Sequence, residues 1–78
     1  MLTTDDIAKN FPVFRKQSSG CYSYHFEDGK EAHFNEKEQT MVAGTYKPVG
    51  ALIMQRKVKT LEDVDQFLKD LRMRVKLN

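Results

Sequence analysis

Apolar residues recur at two different spacings along this chain. Over 61–75, Leu61, Val64, Phe67, Leu68, Leu71 and Val75 follow the three-and-four rhythm that lines one face of an α-helix. Thr60 precedes them and Asp63 follows three residues later, the pair that satisfies free amides at a helix start. Acids stand in the first turn and bases in the last, which suits the helix dipole. Asp65 with Lys69, and Asp70 with Arg74, add acid-to-base pairs four residues apart. Such a helix is roughly 22 Å long, about the width of four strands, so it can lie across a sheet.

A shorter helix is predicted at the start. Thr3 and Thr4 are cap candidates, Asp5 and Asp6 follow, and Ile7, Ala8 and Phe11 recur at helical spacing until Pro12 forbids continuation. Residues 13–17 form at most an irregular strand, and Ser18-Ser19-Gly20 signals a turn.

The middle of the chain alternates with period two. Residues 21–26 place Tyr22, Tyr24 and Phe26 on one side, and residues 31–35 place Ala32 and Phe34 on one side. The linker Glu27-Asp28-Gly29 decides how the two strands pair. A two-residue loop sends the two apolar sets to opposite faces. A three-residue loop, with Gly29 left-handed, opposes Phe26 to Lys30, Tyr24 to Ala32 and Tyr22 to Phe34, and gathers every large apolar side chain on one face. Each such burial is worth about 1.5–3 kcal/mol, far above any turn preference, so the second register is expected. Cys21, Ser23, His25, Glu31, His33 and Asn35 then share the opposite face.

Glu36–Gln39 reads as a polar turn, 40–46 as a third strand with Gly44 as its weak point, Lys47–Gly50 as a turn, and 51–59 as a fourth strand. The fourth strand opens apolar on both sides, as a strand covered by two layers does. The predicted fold is therefore α+β in one domain over 1–78. It is a four-stranded, mainly antiparallel meander with a long C-terminal helix packed across one face and a short N-terminal helix.

Composition narrows the function classes. With 78 residues and a single cysteine, Cys21, the chain allows no internal disulfide and no multi-cysteine zinc site. The formal charge of +2 is too small to indicate phosphate binding by itself, but it is unevenly spread. Residues 27–38 carry five acids and two bases, whereas 39–59 carry four bases and no acid. No apolar run approaches the ~20 residues that cross a bilayer, and the opening MLTTDD lacks the pattern of a secretory signal, so a cytoplasmic protein is expected.

Candidate chemistry is sparse. His25, Glu31 and His33 are metal-ligand types on one face, but Cys21 stands about 13 Å along the strand from His25, and three exposed groups with no supporting shell make a poor site. Cys21 has no histidine directly across the strand pair to activate it. Phosphate loops, nucleophile elbows and zinc-helix motifs are missing, and the acid pairs sit where helix starts need them. No enzyme activity, metal, cofactor or small-molecule substrate is expected.

Two binding readings remain. Arg56, Lys57 and Lys59 make a basic strand end that suits single-stranded nucleic acid, with Arg72, Arg74 and Lys76 at the helix end. Yet the hairpin aromatics that would stack on bases share the helix-covered face. Ala51 and Ile53 share the other parity of the fourth strand and suit an interface, covered either by the first helix or by a second chain. A non-catalytic binding or adaptor module acting through protein–protein contacts, self-associating as a homodimer, is the expected function. Nucleic-acid binding is the alternative.

Overall fold

Thr3 accepts the amide of Asp6 on its hydroxyl while the Asp6 carboxylate accepts the amide of Thr3, and this reciprocal cap starts helix α1, Thr4–Asn10. The computed structural model describes residues 1–16, 22–46 and 49–75. After α1 come strands β1 (Arg15–Lys16), β2 (Tyr22–Glu27), β3 (Lys30–Asn35), β4 (Thr40–Tyr46) and β5 (Val49–Lys57), then helix α2 (Leu61–Arg74). The strands form one antiparallel meander in the order β1-β2-β3-β4-β5.

The sheet thus has five strands where four were expected. The additional one is only two residues long. Phe14 turns inward and packs its ring on Tyr24 at 5.7 Å, which lays Arg15 and Lys16 alongside Ser23 and Tyr22. The fourth predicted strand also begins and ends earlier. Val58 donates its amide to Gln39 O, and Lys59 donates its own to the Asp63 carboxylate, so both have left the ladder.

The hairpin register is the one that gathers the aromatics. Tyr22 opposes Phe34, Tyr24 opposes Ala32 and His25 opposes Glu31, with Gly29 at φ 79°. At the closing pair Glu27, not Phe26, opposes Lys30, across an irregularity after His25. Phe26 stays fully buried because the bulge absorbs the extra residue.

One core holds the molecule together. Tyr24, Phe26, Ala32, Phe34, Met41, Ala43 and Met54 from the sheet meet Val64, Phe67, Leu68 and Leu71 from α2. Leu2, Ile7 and Phe14 join the same cluster, and α1 touches α2. The first helix therefore lies beside α2 on the covered face and does not cap the far side.

The N-terminal segment is tied down by the turn before β4. Gln39, left-handed at φ 51°, accepts the Leu2 amide and donates to the Leu2 carbonyl, and Thr4 donates its amide to Glu36. No helix among the described residues is long and apolar enough to cross a membrane. The expected turns at Ser18–Gly20 and Lys47–Pro48, together with Cys21 and Lys76, lie outside the described residues.

Candidate binding face

Strand alternation sends every second side chain away from the helices. Two cross-strand rows result on the outer face. One runs His25–Glu31–Gly44–Leu52 and the other Ser23–His33–Val42–Gln55. None of these residues belongs to the core cluster that the two helices close.

Gly44 breaks the first row. A Cβ built there falls 2.7 Å from the Ala51 carbonyl oxygen, so the β4–β5 approach admits only glycine. Ala51 comes this near because the strands are irregular on both sides of Gly44, and the Thr45 hydroxyl takes the Ala51 amide at 3.1 Å. With no side chain between Glu31 and Leu52, a hollow of about 230 Å³ opens, lined by Glu31, His33, Val42, Thr45, Ala51 and Leu52 among others. Leu52, at 61% exposure, forms its outer rim.

The same irregularities change the parity of β5. Leu52 lies opposite Gly44 on the outer face, whereas Ile53, expected to point to the far side, is half-buried against the core. Ala51 is exposed as expected. Ala51 and Leu52, rather than Ala51 and Ile53, thus share the rim of the hollow.

At the other end of the row, Glu31 lies between two imidazoles. Its two oxygens stand 3.2 Å from His25 Nε2 and 3.6 Å from His33 Nδ1. Among the described residues no group of three or more His, Cys, Asp or Glu side chains is arranged to hold a metal ion. The His25 ring packs on Tyr46 at 5.2 Å, which adds a phenol to the face. The pairing of β2, β3 and β4 brings the two rings together, because Tyr46 sits two strands away from His25.

The basic strand end divides. Lys57 and Lys59 are exposed. Arg56 points to the covered face and bonds Asp70 of α2 at 2.6 Å. Asp70 was expected to pair with Arg74 but is held by Arg56 and Gln66. The Arg56 bond, then the Gln66 bond, hold the Asp70 carboxyl below the usual carboxylate range, and Arg74 adds only to the surrounding positive field. Asp63 is also lowered, first by the amide of Lys59, then by the cap with Thr60. Asp65 and Lys69 pair at 2.9 Å as their spacing predicts.

No family model matches this chain, and neither a curated protein nor a solved structure matches it.

Proposed function

We propose that the chain is a non-catalytic protein-binding module that self-associates, with the outer sheet face beside β5 as its contact surface. The observation that carries this reading is Leu52, a large apolar side chain 61% exposed on the rim of a hollow that neither described helix lines. Exposed Ala51 extends the patch. The contact is made through side chains. Two irregularities in β5 interrupt the regular edge on which another strand would be added, a common protection of sheet edges. The opposite edge, β1, is two residues long and carries Arg15 and Lys16, which discourages pairing there.

Sedimentation equilibrium over a wide concentration range tests this. The mass is expected to rise with concentration, and Leu52→Lys to return it toward the monomer. A monomer mass held up to millimolar protein removes the self-association.

Single-stranded nucleic acid is the second reading, supported by the His25–Tyr46 ring pair on the open face and by exposed Lys57 and Lys59. Tyr24, Phe26 and Phe34 are buried and Arg56 is engaged with Asp70, which leaves this reading fewer groups. It requires oligonucleotide affinity that falls steeply with salt and drops in Lys57→Glu. Indifference to both removes it.

A further inference from the structure

The hollow between Glu31 and Leu52 has a chemical character of its own. Its walls are Val42, Ala51 and Leu52, with Glu31 and His33 at one end, and among the described residues no lysine or arginine lines it. At about 230 Å³ it falls below the ~300–1,000 Å³ typical of small-molecule sites, and it suits a single inserted side chain.

Glu31 differs from the other paired acids. Asp5, Glu27, Asp65 and Asp70 each contact a lysine or arginine. Among the described residues, the charged or chargeable groups that Glu31 contacts are two imidazoles. The Glu31 side chain is 24% exposed, so it is neither sealed off nor fully bathed in water.

An apolar channel ending at an acidic side chain with no described lysine or arginine partner complements one kind of side chain, an aliphatic stem with a cationic head. We infer that this hollow is a socket for a lysine or arginine side chain of the partner protein. The stem lies along Val42, Ala51 and Leu52, and the head meets Glu31 in a charge-assisted hydrogen bond. The inference rests on the binding-module reading and names the chemistry of the partner at that surface. Because the floor of the socket is Gly44, the fold itself keeps the channel open.

The test titrates the isotope-labelled full chain with N-acetyl-lysine-N-methylamide and reads backbone amide shifts. N-acetyl-norleucine-N-methylamide, which has the stem without the charge, is the control. Saturable shifts at Glu31, His33, Thr45 and Leu52 are expected with the lysine derivative and not with the norleucine derivative. Glu31→Gln, an outward-facing and nearly isosteric change, is expected to weaken the lysine derivative roughly tenfold.

Equal response to both compounds, no saturable shift, or an unchanged response in Glu31→Gln overturns the socket. The two-compound comparison uses the unaltered chain, so it does not depend on the variant folding. The binding-module reading is judged separately. A chain whose mass rises with concentration but which ignores the lysine derivative loses the socket and keeps the module.

Discussion

Gly44→Ala tests the fold and the candidate site together. The added Cβ would stand 2.7 Å from the Ala51 carbonyl oxygen, closer than the 3.0 Å that real Cβ atoms respect. The obstacle is backbone, so no side-chain rotation relieves it. β4 and β5 must part by roughly 0.7 Å to reach ordinary contact, which begins at 3.4 Å. Ala51 is also fixed through its amide to the Thr45 hydroxyl, so the parting stretches that bond. Overpacking of this kind costs about 1–3 kcal/mol. The stiffer unfolded chain returns about 0.4–1 kcal/mol, leaving a net loss of about 1–2 kcal/mol. For a domain of this size each kcal/mol moves the melting temperature by about 4–8 °C, so a drop of roughly 5–15 °C is expected. Thermal unfolding followed by circular dichroism measures it, and amide spectra locate it. The largest shifts are expected at Thr45, Ala51 and Leu52, with α2 little changed. A variant that melts with the parent, or whose spectral changes spread evenly, refutes the argument that this approach is closed to a side chain.

Three other perturbations follow from the same contacts. Gln39→Ala removes both hydrogen bonds to the Leu2 main chain and is expected to cost about 1–2 kcal/mol, with faster amide exchange at Leu2 and Thr4. Exchange there unchanged from the parent would show that the segment is held by its apolar contacts alone. Phe67→Ala empties a fully buried ring site and is expected to cost about 3–5 kcal/mol, most of what so small a domain has, so the far-ultraviolet signal should approach that of an unfolded chain. The third concerns acid. Asp63 and Asp70 have carboxyls lowered from 3.8 in the folded chain. Their contribution is therefore fully present above the unfolded value and is lost as pH falls through the lowered folded values. Stability should decline below about pH 4, and Asp70→Asn should flatten that decline without abolishing it, because Asp63 still titrates. A decline of equal steepness in the variant would contradict the Arg56–Asp70 assignment.

Elements whose large apolar residues leave a single choice could be read from the sequence. The hairpin register follows because only one loop length collects Tyr24, Phe26 and Phe34 on one face, and burial outweighs turn preference. The closing helix follows from its stripe and from the Thr60–Asp63 cap, which forms in both directions. What escaped depends on irregular backbone or on residues far apart in sequence. β1 is too short to show a period, and the inward turn of Phe14 that creates it is a tertiary event. Gly44 was legible as a weak point, but its consequence was not. Its bulges shift the parity of β5, so strict alternation placed Ile53 on the outer face, where Leu52 stands. The engagement of Arg56 was not legible because its partner, Asp70, stands fourteen residues away on another element. The hollow needs the registers of β3, β4 and β5 at once, and no single stretch of sequence carries them.

Both helices pack into the one core cluster on the same side of the sheet. The outer face carries rows built from His25, Glu31, Ser23, His33 and Gln55 with few apolar members, as a face in water does. Leu52 runs against that logic, since it gains little by folding while 61% exposed. Glu31 and Leu52 both lie outside the core, so Glu31→Gln and Leu52→Lys are expected to leave stability within about 0.5 kcal/mol of the parent. Binding and stability should thus separate at these two positions and fall together at Gly44, which belongs to both the ladder and the hollow. If Leu52→Lys instead destabilised the monomer by as much as a core truncation, its exposure would be misjudged. The surface proposed for partners would then be part of the packing of the domain itself.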